Sequence, residues 1–278
     1  MRSSPLERVG SAVRLTVLIL MVVGTLFPLY FLVVTAFKTG SEFGTNYFLP
    51  PLTSFTTDNL MAGLDLVGRF ALNSVQVTLI TAAIVLLVVV PAVYAFTWLV
   101  FPGANWLYTV AIATLLVPAV LTFVPQYILT KQLGLLNDQW GVILPFVATG
   151  IGVAVYLLRS FFSALPFELI EAARLDGASE LQILRRVVLP LSVPSLVTVA
   201  VVTIVTAWNA FLWPLVVISS ESKRLISVAV TFLAGSTSVP DVPALMGGYL
   251  AASLPLIIIL SLLLRYFVRG LTEGAVKG

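Results

Sequence analysis

Phe167–Pro190 reads FELIEAARLDGASELQILRRVVLP. Glu168, Glu171, Arg174, Asp176, Glu180, Arg185 and Arg186 all fall inside it, with uncharged apolar sequence on both sides. Elsewhere charge is scarce: 10% of the 278 residues are charged and 59% are hydrophobic. A soluble domain carries about 25% charge. With a mean hydropathy of +1.08, most of this chain has lipid as its solvent. The charged stretch is then a water-facing device held between two membrane spans.

Local signals give that device a shape. Pro166 suits the first turn of a helix, and Phe167–Leu175 follows as a short helix with Glu168 and Glu171 near its positive end. Asp176-Gly177 stops it, since glycine tolerates the left-handed conformation of a helix end. Ser179 with Gln182 three residues on has the form of a capping box. A second helix starts there, with Leu181, Leu184 and Val188 expected on one face, and Pro190 and Pro194 mark the entry to the next span. A short helix projecting from a membrane bundle either docks its apolar side in a partner's groove or lies as an amphipathic loop on the membrane surface.

Working outward, a bilayer core of about 30 Å needs about 20 apolar helical residues. Six stretches qualify: Leu15–Phe37, Phe70–Val100, Trp106–Leu129, Trp140–Leu158, Val193–Trp213 and Met246–Leu264. The first is too long for a signal-peptide core and reads as a retained span, with Pro28 placed to kink it. Phe70–Thr130 holds no charged residue. It is long enough for two crossings, which part at the turn cluster Phe101-Pro102-Gly103-Ala104-Asn105. Trp140 is expected as an interfacial anchor. Lys38–Gly68 reads as a polar loop with room for a short surface helix. Pro214–Leu245 reads as a loop with an apolar centre at Leu225–Leu233. Residues 1–278 are expected to form one all-α transmembrane domain.

Six spans put both ends on one side. That side carries ten basic residues: Arg2, Arg8, Arg14, Arg159, Arg174, Arg185, Arg186, Arg265, Arg269 and Lys277. The other carries five: Lys38, Arg69, Lys131, Lys223 and Arg224. The acidic residues divide evenly, so the bias is one of Lys and Arg. The positive-inside rule then places both termini and the charged stretch in the cytoplasm.

Several chemistries are excluded. There is no Cys and no His, hence no disulfide, no Cys/His metal site, no thiol nucleophile and no His-based triad. No GxxxxGK[ST] loop exists, so ATP is not hydrolysed on this chain. The six stretches carry no Asp, Glu, Lys or Arg. An intramembrane enzyme therefore has no evident catalytic set, and the alternative reading, a self-contained secondary transporter or channel for a small neutral solute, has no residue to carry a coupling proton. The absence of basic runs, the balanced charge of 167–190 and its tethering between spans argue against nucleic acid as a ligand.

Glu171-Ala172-Ala173, then Gly177, then Val187 and Leu189-Pro190 resembles the EAA signature of ABC-importer permeases, with Val187 where Ile is usual. Arg174 and Asp176-Gly177-Ala178 sharpen the resemblance towards the carbohydrate-importer branch. Leu157–Pro166 (LLRSFFSALP), Ala207–Val217 (AWNAFLWPLVV) and Phe267–Gly278 (FVRGLTEGAVKG) are similar to that branch too. The tail resembles the second permease of maltose-type heterodimers. Family members commonly carry Glu or Gln where Ala210 stands.

The resemblance implies a six-helix type I permease in a bacterial or archaeal cell membrane. It implies a second, homologous permease, two ATP-binding subunits and an extracytoplasmic sugar-binding protein as partners. ATP and Mg belong to the ATP-binding subunits, and no cofactor is expected on this chain. Glu168, Glu171, Ala172, Ala173, Arg174, Asp176, Gly177 and Ala178 become the ATPase-coupling element, their charges candidates for cross-subunit pairs. The loop 214–245 contacts the binding protein or packs as a cap on the bundle.

Sugars are neutral and rich in hydroxyls, so amides and aromatic faces suit them better than charge. Asn73 and Gln76, three apart on one helix face, Gln126, Trp208 and Asn209 are the candidates for the substrate path. The competing role for each is hydrogen bonding between helices or interfacial anchoring.

Overall fold

A computed structural model describes residues 5–235 and 241–275, with side chains described from 13 to 232 and from 241 to 264. Thirteen α-helices follow one another: α1 Pro5–Ala36, α2 Gly40–Thr45, α3 Asp58–Trp98, α4 Ala104–Ala113, α5 Ala119–Gln132, α6 Trp140–Phe162, α7 Phe167–Leu175, α8 Glu180–Ile183, α9 Leu189–Leu191, α10 Val193–Asn209, α11 Leu212–Val217, α12 Ile226–Gly235 and α13 Val242–Ala275. Among the described residues there is no β-strand, only an isolated bridge between Lys38 and Phe55.

Among the described residues, four helices are long and apolar enough to cross a bilayer: Val13–Ala36, Asp58–Trp98, Trp140–Phe162 and Val242–Leu264. Two further helix pairs among the described residues are apolar enough when taken together but are sharply bent, 104–116 with 119–132 at 103° and 180–191 with 193–209 at 78°.

The helix boundaries differ from the expected span limits in four places. The second long helix starts at Asp58, ahead of Phe70, and takes Asp58, Asp65 and Arg69 of the expected polar loop into its first turns. The third is not one helix over Trp106–Leu129. It breaks at Pro118, which has no N–H and holds the preceding Val117 extended at φ −82°, ψ 116°. The fifth ends at Asn209 rather than Trp213, because Ala210 turns extended before the separate helix α11. The last starts at Val242, ahead of Met246. Of the basic residues counted for topology, the side chains of Arg2, Arg8, Arg265, Arg269 and Lys277 lie outside the described set, as does most of the tail that carried the family resemblance.

The chain packs as two compact units, 1–68 with 230–254 and 69–229 with 255–278. In the first unit, the loop after α1 is built around two buried charges. Lys38 has no exposed surface, and Glu42 is buried as well. Lys38 Nζ donates to the carbonyls of Asn46 at 2.6 Å and Tyr47 at 3.2 Å. The Glu42 carboxylate accepts from the amides of Leu52, Thr53 and Ser54 and from the Ser54 hydroxyl. Those donors, Leu52 first, hold its pKa down at about 2, while burial pushes the Lys38 ammonium down. Asn59 Nδ2 ties α3 to this loop through the carbonyls of Ala36 and Lys38. Buried polar groups need such partners. A loop expected to be merely polar is therefore an ordered cap.

The second unit has a core of Val77, Val85, Val89, Val142, Leu158 and Phe162, with Ile170 and Ile183 from the charged segment inserted into it. The loop after α10 closes over the same unit. Leu225, Ile226, Val228 and Ala229 are buried, so the first half of the apolar centre is covered by the chain itself. Trp213 Nε1 donates to Gly141 O at 3.0 Å, and Ile226 N to Ser74 Oγ at 2.8 Å. Lys223 Nζ reaches Asn137 O at 2.8 Å, and Asn137 Oδ1 accepts from the Ser220 amide and hydroxyl.

Candidate functional site

The charged stretch folds as a helix, a glycine bend and a second helical run, and each joint has a local cause. Helix α7 covers Phe167–Leu175 with Pro166 at its N-cap. Its C-terminus closes by a Schellman motif: Ala178 N donates to Ala173 O and Gly177 N to Arg174 O, both at 3.0 Å. Gly177 sits at φ +80°, the left-handed conformation that costs other residues. The expected capping box is complete, with Ser179 N to Gln182 Oε1 at 2.8 Å and Gln182 N to Ser179 Oγ at 3.4 Å. Leu184–Val188 then forms a π turn before α9. That turn changes which side chains face in. Ile183, Leu184 and Val188 are buried, while Leu181 is 55% exposed. The expected trio is corrected by the wider i to i+5 spacing of a π turn.

Helix α7 divides cleanly into faces. Ile170 is buried and Ala173 packs against the core. On the opposite side Glu168, Glu171 and Ala172 are exposed, and Leu175 is 84% exposed. Asp176 and Gly177 are exposed at the tip; Ala178 is half-buried and packs on the core.

Arg174 behaves differently from its neighbours. Its Nε donates to Glu180 Oε1 at 3.0 Å, and its Nη2 donates to Glu180 Oε2 and to the Trp98 carbonyl, both at 3.3 Å. Tyr94 Oη donates to the same Glu180 carboxylate. The guanidinium is thus engaged inside the chain. Tyr94, Trp98 and Glu180 belong to this site but were not among the sequence candidates. Glu180 lay in view within the charged stretch; nothing local marks Tyr94, 86 residues earlier.

The five substrate-path candidates do not converge. Asn73 Nδ2 donates to the carbonyls of Ser222 and Arg224, both at 2.9 Å, and its Oδ1 accepts from Gln139 Nε2 at 3.3 Å. It is a tie between α3 and the loop after α11. Gln76 is exposed and Gln126 half-buried. Trp208 is 6% exposed. Asn209 Nδ2 donates to Val205 O of its own helix at 2.9 Å. A cavity of about 130 Å³ lies among α3, α6 and α10, lined by Thr81, Phe146, Thr149, Val199, Thr203 and Thr206 among others, and by none of the five. The hydroxyls of Thr81, Thr149 and Thr203 donate back to their own helices, which leaves the lining largely apolar. No cluster of three or more metal-ligating side chains occurs among the described residues.

This fold and this site define a polytopic α-helical membrane protein that carries a charged helix–glycine–helix elbow between two of its apolar helices. The chain belongs to the binding-protein-dependent transport system inner membrane components, the permeases of ABC importers, whose family pattern matches residues 89–273. It is 30% identical over 260 residues to the trehalose transport permease SugB of Mycobacterium tuberculosis, covering 93% of this chain and 95% of that one. It is 32% identical over 259 residues to the arabinooligosaccharide transport permease AraQ of Halalkalibacterium halodurans, with 91% of each covered. A chain in the crystal structure of a bacterial ABC transporter that imports the acidic polysaccharide alginate superposes with a TM-score of 0.84, covering 96% of this chain and 99% of that one at 22% identity. That last likeness is one of fold.

Proposed function

We propose that the chain is one of two permeases in an ATP-driven carbohydrate importer, and that α7 is the helix through which a separate ATPase subunit drives it. One observation carries this reading: α7 is anchored on one side by Ile170 and Ala173 and presents Glu168, Glu171, Ala172 and Leu175 on the other. An exposed apolar side chain flanked by charge on a short, rigidly capped helix is suited to a groove on a partner. Ala172 permits close approach, and Gly177 sets the bend.

On this reading each bent pair counts as one crossing, which makes six, and both termini and the elbow lie in the cytoplasm. ATP and Mg sit on the ATPase subunits. A binding protein delivers the solute from outside, and the loop after α10 faces it. The solutes named for the relatives support a carbohydrate: trehalose, arabinooligosaccharides and, for an α-glucoside permease of Rhizobium meliloti 33% identical over 232 residues, α-glucosides.

The test is ATP hydrolysis by the reconstituted complex, measured against binding protein loaded in turn with trehalose, arabinooligosaccharides and α-glucosides. Stimulation by at least one of them is expected. A complex that none of the three stimulates overturns the carbohydrate assignment. A permease that carries solute alone in vesicles overturns the assignment to an ATP-driven system.

A further inference from the structure

The Tyr94, Glu180 and Arg174 side chains meet where the C-terminal end of α3 lies beside the Gly177 bend. Trp98 is the last residue of α3, so its carbonyl is one of the four that a helix C-terminus leaves without an intrahelical partner. Arg174 satisfies it with Nη2 and brings a positive charge to the negative end of the helix. The same guanidinium pairs with Glu180, and the two residues stand on either side of the Gly177 bend, Arg174 before it and Glu180 after it. Their contact closes the elbow at one angle. Tyr94 stands one turn before Trp98 on α3 and donates its hydroxyl to the second oxygen of that carboxylate. Its ring meets the Trp98 ring edge-on at 5.2 Å, and Trp98 stacks on Phe162 at the end of α6, 5.3 Å between centroids and 18° between planes. The elbow is thereby bonded to the end of one long helix, and that helix end is stacked on the helix leading into the elbow. None of these bonds uses the outward face of α7.

We propose that Tyr94, Glu180 and Arg174 form a strut that fixes the elbow to the C-terminal end of α3 and holds through the transport cycle, so that a push received by α7 is delivered to α3. These are positioning residues: they touch neither the ATPase face nor solute. The inference rests on the reading of α7 as the ATPase-docking helix. It adds the path that force takes afterwards. Without the strut, α7 keeps its docking face and its core anchor at Ile170, but the Gly177 bend flexes and nucleotide closure is absorbed there. Charge-assisted hydrogen bonds are the strong ones in such a joint. Losing one weakens a two-state preference by about tenfold.

The experiment uses the full complex in liposomes. Tyr94→Phe removes only the hydroxyl and keeps the ring contact with Trp98; Glu180→Gln removes the charge. Both variants are expected to co-purify with the ATPase and to hydrolyse Mg·ATP, while the trehalose taken up per ATP falls about tenfold. An unchanged ratio in both overturns the strut. The chain has no native cysteine, so Tyr94→Cys/Glu180→Cys offers a second readout. A short bismaleimide should link the two thiols at similar rates without nucleotide and in the complex trapped with Mg·ATP and orthovanadate. Linkage in one state alone, or in neither, also overturns the proposal. This second measurement needs no sugar, so it decides whether or not trehalose is carried. Failure of the unsubstituted permease to co-purify with the ATPase would instead sink the docking assignment on which the inference rests.

Discussion

Gly63 on α3 and Gly247 on α13 meet backbone to backbone. A Cβ built on Gly63 would lie 2.7 Å from the Gly247 carbonyl oxygen, and one on Gly247 would lie 2.3 Å from the carbonyl oxygen of Asn59. Small residues at helix crossings let backbones approach closely where lipid offers no hydrophobic driving force between helices. The obstructing atoms are backbone and cannot rotate away. Gly247→Ala is therefore expected to destabilise the first unit by about 1–3 kcal/mol, the usual cost of overpacking. A thermal melt of the detergent-solubilised protein checks it; an unchanged midpoint contradicts the close approach.

The Glu42 carboxylate predicts a pH dependence in the loop between α1 and α3. Its pKa in the folded loop, about 2, lies below the ordinary value of 4.5. A depressed carboxylate contributes stability that is complete above the ordinary value and is lost as pH falls towards the folded one. Hydrogen-exchange protection of the Leu52 and Ser54 amides, both donors to Glu42, should hold above about pH 4.5 and fade towards about pH 2. Glu42→Gln should remove most of that pH dependence. Protection that ignores pH across this window in the unsubstituted protein would count against the carboxylate as the organiser.

Gly177 stands at φ +80°, with nothing within 4 Å of a Cβ built on it. The cost of a side chain there is wholly conformational. Gly177→Val should cost about 1–2 kcal/mol and Gly177→Asn less, since Asn visits the left-handed region more readily. The readout is recovery of the ATPase subunit with the tagged permease, expected to fall in the order Gly, Asn, Val. Equal recovery from all three removes the bend from the docking argument.

Asn73 is bonded to the loop after α11, which separates its packing role from a role towards solute. Asn73→Leu deletes the donations to Ser222 and Arg224. It should lower stability by about 1–3 kcal/mol, the range for hydrogen bonds lost at half-buried sites. It should leave the ranking of trehalose, arabinooligosaccharides and α-glucosides unchanged. A changed ranking with an unchanged melting point would return Asn73 to the substrate path.

Glu171 is exposed on the outward face of α7 and makes no hydrogen bond or ion pair among the described residues. Glu171→Lys is expected to fold normally and to cut sugar-stimulated ATP hydrolysis about tenfold, by reversing a charge on the face proposed to meet the ATPase. Stimulation at the unsubstituted level would show that this face does not meet the ATPase.

How far the sequence reaches depends on whether its signals are local. The ends of α7, the Gly177 bend and the Ser179 capping box were legible because each rests on residues within five positions of one another. The break at Pro118 was written in the same local code, but an unbroken apolar window concealed it: hydropathy measures how much lipid a segment tolerates, not whether its helix is continuous. Leu181 was given the buried position that Ile183 holds, because the π turn over 184–188 departs from the 3.6-residue period that the reading assumed.

The amino-acid sequence by itself determined a lipid-dissolved helical chain, without thiols, imidazoles or a phosphate loop, that carries one charged elbow. Composition and short-range spacing are sufficient for that. Only the tertiary structure decided what the charges and amides do. Arg174 is bound to Glu180 and to the end of α3, Lys38 and Glu42 are buried in an ordered loop, and Asn73 is a tie between segments. Each of those assignments depends on groups brought together from distant parts of the chain or enclosed by its packing, and a buried polar group takes whichever partner the fold delivers.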